Sequence, residues 1–225
     1  MDKSLEEVEN SLQNQCRLGN LDAVLQKLDG GEDPNGRDDD ERTPLHWAAS
    51  SKNPELVTLL LSLPKVDVNA RDDSGYTPLM CAVAAGRVEN TRLLLQAGAD
   101  VNRVNEYQET VIHMTKSNTA ILSMLIDKVK DVNKQNEYGV TALMKAASLG
   151  CLDSMRLLLN HGARVDMADG EGNTAAHYAA FDNRREAYLL LKARGYDEET
   201  RNKENKTALD YVHSPVCNKH DVLIK

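Results

Sequence analysis

Apolar residues in this 225-residue chain come in recurring clusters. Leucine runs stand at 59–61, 93–95, 157–159 and 189–191, and a related run, Met124-Leu125-Ile126, falls between the second and third. Each run follows a shorter segment of small and apolar residues headed by a threonine: Thr43, Thr77, Thr110, Thr141 and Thr174, with Thr207 heading one more. Successive threonines are 34, 33, 31, 33 and 33 residues apart. A fixed period of this length marks a stacked repeat, in which no unit buries its apolar faces alone.

The letters of one period predict its local structure. Thr offers a side-chain oxygen to the free N–H groups of a starting helix, and Pro44 and Pro78 suit the first turn, where a missing N–H costs nothing. His46, His113 and His177 stand three residues after a threonine, placed to reach back as in a capping box. The Ala48-Ala49, Ala146-Ala147 and Ala179-Ala180 pairs let helices approach closely. Gly86 and Gly150 end the first helix, the leucine run marks a second, and Gly98 and Gly162 suit its left-handed end. A turn rich in Asp, Asn and Gly precedes the next threonine. The prediction is an all-α solenoid of seven helix-turn-helix units with hairpin-like loops, read as a single domain over 1–225. An N-terminal cap covers 1–37, internal repeats cover 38–71, 72–104, 105–135, 136–168 and 169–201, and a C-terminal cap covers 202–225. The second unit carries one extra residue near Pro64 and Lys65. The fourth lacks two between its helices, near Lys116 to Thr119, and is expected to be the least regular.

Charge adds an asymmetry. Of the net charge of −8, residues 1–42 hold −7, from 12 acidic and 5 basic side chains. An acidic pole of this kind steers a basic partner and argues against nucleic acid, whose phosphates need a basic footprint. No apolar run approaches the roughly 20 residues that span a bilayer, so no membrane role is expected. The start MDKSLEEVEN does not have the pattern of a secretory signal, and the expected location is cytoplasm and nucleus. Cys16, Cys81, Cys151 and Cys217 are far apart and are expected as reduced thiols.

Catalytic chemistry finds little support. There is no phosphate loop, no HExxH and no GxSxG. The three capping histidines lie in units that are not neighbours and cannot share a metal, whose ligands sit at about 2 Å. His213, His220 and Cys217 form at best a loose metal set and are set aside. The expectation is no enzyme, no cofactor and no metal.

Recognition falls to positions whose residue type varies while the Thr, Ala and Leu positions repeat. One set precedes each threonine at the loop tip: Arg42, Tyr76, Glu109, Val140, Asn173 and Lys206. The other lies four residues after it, on the first helix toward a concave groove: Trp47, Cys81, Met114, Lys145, Tyr178 and Tyr211. Trp47, Tyr76, Tyr178 and Tyr211 stand out in a chain with only 4% aromatic residues, since aromatics and Arg are enriched at binding hot spots. Asp38 to Glu41 and Asp72-Asp73 add acid beside that face.

The stretches RTPLHWAAS (42–50), DDSGYTPL (72–79), EGNTAAHYA (171–179) and NKENKTALDYV (202–212) resemble ankyrin repeats, and among these the gankyrin-like chaperones of proteasome regulatory-particle assembly. That resemblance implies a protein partner, the C-terminal domain of one proteasomal base ATPase subunit, held on the concave face by a chain that is monomeric when free. It also implies contact roles for Arg42, Trp47, Asp72 and Tyr76, with Lys116 a further candidate beside the shortened turn. Tyr76 stands where that family often has Trp. The alternative is an adaptor or inhibitor of another protein, such as a kinase or transcription factor, on the same scaffold.

Overall fold

A computed structural model describes residues 10–212. The set His213, Cys217 and His220, and the acidic residues among 1–9, lie outside the described residues. The chain divides into two compact units, Met1–Glu106 and Tyr107–Lys225. Among the described residues every regular element is helical, and extended pairing is limited to two isolated bridges, Ala168 with Thr174 and Arg201 with Thr207.

The first unit holds three helix pairs: α1 (Leu12–Leu18) with α2 (Leu21–Asp29), α3 (Pro44–Ser50) with α4 (Pro54–Ser62), and α5 (Pro78–Ala84) with α6 (Val88–Gln96). The first pair realises the weak N-terminal copy of the template. Within α3, Leu45, Ala48 and Ala49 are fully buried, and α3 packs against both α1 and α5. The leucine run delivers one core residue in a fixed phase: Leu60 and Leu94, each 17 positions after its threonine, are fully buried. Leu56, Val57 and Leu60 form the i, i+1, i+4 stripe of an amphipathic helix, and Asn90, Thr91 and Leu94 repeat its phase on α6. Each such apolar side chain contributes roughly 1.5–3 kcal/mol by leaving water. Asn90 on α6 is buried and donates to the carbonyls of Ala48, Ala49 and Ser51, so the end of α3 keeps no orphan acceptors there.

The second unit begins with the shortened repeat. Its first helix is only a 3-10 turn, Val111–Met114, followed by α7 (Thr119–Leu125) and a second 3-10 turn, Ile126–Lys128. Two missing residues leave too little chain for a full α-turn and connection, and Lys116 takes a left-handed conformation, φ 49°, to close the gap. The pairs α8 (Ala142–Leu149) with α9 (Leu152–Asn160) and α10 (Ala175–Phe181) with α11 (Arg185–Ala193) follow, then the short α12 (Ala208–Val212). Leu158 and Leu191 occupy the same buried phase as Leu60. The 189–191 run starts early, which leaves Leu189 46% exposed.

The hairpin-like loops are turns locked by an Asp or Asn. Asp38 Oδ1 accepts the N–H groups of Asp40 and Arg42. The same pair of bonds, two and four residues on, is made by Asp72, Asn136, Asp169 and Asn202. Successive tips are joined by single backbone bonds, Asp73 N–H to the Asp40 carbonyl in the first unit and Gly170 N–H to the Tyr138 carbonyl in the second. At Gly139 (φ 79°) a Cβ would lie 2.8 Å from Gly170 N, so this stacking requires glycine for both conformation and space.

Candidate functional site

Three capping histidines hold the inner helices in place. Thr43 N–H donates to His46 Nδ1 at 3.1 Å, and His46 Nε2 lies 3.0 Å from the Tyr76 carbonyl oxygen. A backbone N–H only donates and a carbonyl only accepts. Nδ1 is therefore bare and Nε2 carries the proton. His113 makes the same bonds to Thr110 and the Val140 carbonyl, and His177 to Thr174 and the Lys206 carbonyl. Burial pushes all three imidazoles below the usual histidine value. These are clamps between consecutive repeats.

In the first unit the tips and inner helices bring four of the residues expected from sequence together. Arg42 Nε donates to Asp72 Oδ2 at 3.0 Å, and its guanidinium lies 4.9 Å from the centre of the Trp47 ring. Trp47 Nε1 donates to Asp38 Oδ2 at 2.6 Å. Asp72, expected as a contact residue, has a fully buried side chain. Its two oxygens are used by Arg42, Ser74 N–H and Tyr76 N–H, so it positions Arg42 and the backbone of Tyr76. Arg42, Trp47 and Tyr76 are half-buried. Cys81, at the helix position equivalent to Trp47, has its thiol pushed up to about 12 by burial, with Arg42 and Asp72 nearby.

The second unit repeats the theme with different chemistry. Lys145 pairs with Glu109. Tyr178 donates its hydroxyl to Asp169 Oδ2 at 2.8 Å. Tyr211 accepts from Asn202 Nδ2 at 2.8 Å, its ring lies under the Lys206 ammonium at 5.2 Å, and Phe181 meets it edge-on at 5.7 Å. Met114, expected on an exposed face, is only 7% exposed, because the short 3-10 turn carries it inward with its neighbours. Lys116 is exposed on the turn that follows.

A rule joins these contacts. The Asp or Asn that locks each tip stands nine residues before an inner-helix side chain, as in 38 and 47, 169 and 178, and 202 and 211. Its second polar atom takes the polar edge of that side chain. The ring faces are left for contact, and their rotamers are fixed before any partner arrives. Sequence reasoning singled out the aromatic residues and missed their anchors Asp169 and Asn202. The signal was present, as an Asp or Asn recurring four residues before every tip position. It also missed Tyr107 and Tyr138, which are 46% and 63% exposed on consecutive tips.

Among the described residues no cluster of three His, Cys, Asp or Glu is arranged to hold a metal, and no helix is long and apolar enough to cross a membrane.

A family model described as Ankyrin repeats (3 copies) matches residues 12–105 and 111–202. The mouse B-cell lymphoma 3 protein homolog is 30% identical over 168 residues, covering 70% of this chain and 38% of that protein. Human neurogenic locus notch homolog protein 2 is 33% identical over 122 residues, covering 52% of this chain and 5% of that protein. The chain thus spans well under half of these curated relatives. The crystal structure of the human ASB11 ankyrin repeat domain superposes with a TM-score of 0.81 at 25% identity, covering 91% of this chain and 93% of that one. With the family model matched on both sides of the shortened fourth repeat and the helix pairs in place, the chain belongs to the ankyrin-repeat family and is a protein-binding scaffold.

Proposed function

We propose that this scaffold binds the C-terminal domain of a proteasomal base ATPase subunit, in the manner of the gankyrin-like assembly chaperones it resembles. The observation that carries the reading is the Arg42 assembly. A guanidinium held by a buried carboxylate and stacked on an indole is ordered in advance, so binding does not cost the entropy of fixing it. Arg and Trp are also the side chains that dominate protein interfaces. The second unit carries its own pair of opposite charges, Lys145 with Glu109, which fits a partner of mixed sign. The reading includes a chain that is monomeric when free and works in cytoplasm and nucleus, without nucleic acid, membrane or cofactor.

The test is an affinity pull-down from native extract with mass-spectrometric identification, run beside an Arg42→Glu, Tyr76→Ala double variant. Enrichment of base ATPases without mature core particle, lost in the double variant while its circular dichroism is unchanged, is the expected result. Enrichment of a kinase, a transcription factor or another protein in their place rejects the proteasomal partner and leaves an adaptor or inhibitor on the same scaffold.

A further inference from the structure

In the second unit, the tip carrying Tyr138 and the tip carrying Glu171 are joined by the Gly170 N–H to Tyr138 carbonyl bond at 2.8 Å. Between them lies an open depression of about 670 Å³. Position 170 holds glycine where the other tips carry Asp39, Asp73, Glu106, Glu137 or Lys203, so no side chain fills the space. Its lining residues include Tyr138, Tyr178, Glu137, Asp169 and Glu171, with no Lys, Arg or His among them.

The charges of this depression are uncompensated. Asp169 is occupied with the turn and the Tyr178 hydroxyl. Neither Glu137 nor Glu171 forms an ion pair among the described residues, although Lys203 sits on the next tip. A hydrogen bond to Glu137 and its charge hold the Tyr138 phenol above its ordinary value. A metal does not fit, because these carboxylates do not converge on one point. A planar cation does: it stacks on a tyrosine face and donates in its own plane to carboxylates at the rim. Arginine matches this better than lysine, whose ammonium is a point charge without a stacking face.

We infer that the Tyr138–Glu171 depression is a docking site for an arginine side chain of a protein partner. The site lies on loop tips of the second unit, whereas the Arg42 assembly belongs to the first. It rests on the chain being a protein-binding scaffold and not on the identity of the partner.

The test uses the full chain and a defined probe, a blocked pentapeptide with two arginines between glycines, titrated by 1H–15N NMR. Matched peptides carry lysine or the neutral isostere citrulline. The expected result is binding that shifts the amides of Glu137, Tyr138, Gly170 and Glu171. It should be at least about 10-fold weaker for citrulline, weaker for lysine, and weakened several-fold between 50 and 300 mM salt, where the Debye length shortens from about 14 to about 6 Å. A Glu137→Gln, Glu171→Gln double variant, at exposed positions, should lose about 10-fold, and Tyr138→Ala a similar amount. Shifts confined to other acidic residues such as Asp38–Glu41, equal binding of the citrulline peptide, or no shift at all would overturn the inference. Each outcome is independent of the pull-down, which can fail while this site still binds arginine.

Discussion

The three histidine clamps predict a specific acid sensitivity. In each, Nδ1 accepts a threonine N–H and Nε2–H donates to a carbonyl of the next repeat. A proton added to Nδ1 would face that N–H, so the folded chain resists protonation. Burial drives the lowering in all three; nearby charges modify it, Asp72 and Arg42 at His46, Lys145 and Glu109 at His113, and Asp169 at His177. In the unfolded chain these histidines titrate near 6.5. Because the folded pKa is the lower one, the unfolded state binds more protons below that pH. The contribution to stability is complete above about 6.5 and falls as pH drops toward the folded values.

The slope is at most about 1.4 kcal/mol per pH unit for each histidine. Three clamps therefore cost up to about 4 kcal/mol between pH 6.5 and 5.5, a large part of the ~5–15 kcal/mol that holds a domain folded. The assay is urea unfolding followed by circular dichroism at pH 7.5, 6.5 and 5.5, beside a variant with His46→Gln, His113→Gln and His177→Gln. Glutamine can still accept the threonine N–H from the N3 position but does not titrate. The variant is less stable at pH 7.5 and loses less on acidification. If the two proteins lose stability in parallel between pH 7.5 and 5.5, to within about 0.5 kcal/mol, the clamps protonate without cost and the argument from their geometry fails.

Two further substitutions probe the turns. Asp72→Ala removes a buried acceptor of three hydrogen bonds; with Arg42 partly exposed it costs about 2–4 kcal/mol, and a denaturation midpoint unchanged from wild type would show that the carboxylate is dispensable. Gln108 holds the left-handed place that Gly75, Gly139 and Gly172 fill elsewhere, at φ 60°, so Gln108→Gly raises stability by about 0.5–1 kcal/mol, measured as a shift in the urea midpoint.

The repeat, its phase and its caps were legible because they are periodic. The threonine spacing located the start of each inner helix or turn after the first, and the buried leucine at 60, 94, 158 and 191 keeps a fixed distance from it even where the run itself began early. The histidine caps were legible for the same reason. In two of the repeats without the histidine the bond is kept with other chemistry: Met144 Sδ takes the Thr141 N–H at 3.4 Å and Asp210 takes that of Thr207 at 2.8 Å. Met114 was misread because exposure was carried over from the average repeat, whereas a 31-residue spacing changes the helix type and turns the side chain inward. The concavity at Gly170 was not visible at all, since it depends on a side chain that is missing and on how two tips stack.

The tip anchors change how the variable positions are to be understood. A residue facing a partner is usually treated as free to change without cost to the fold, yet here, at three of the tips, the residue nine places after the locking Asp or Asn bonds the same side chain that holds the turn. Trp47, Tyr178 and Tyr211 each bring a polar edge that meets this atom. Cys81 brings none, and the carboxylate of Asp72 turns instead to Arg42. Lys145 is likewise diverted, to Glu109. Recognition chemistry and turn geometry are therefore selected together. A partner that needs a cation at one tip obtains it where the inner-helix residue leaves the anchor carboxylate available: Asp72, with Cys81 nine residues on, holds the guanidinium of Arg42 beside the Trp47 ring.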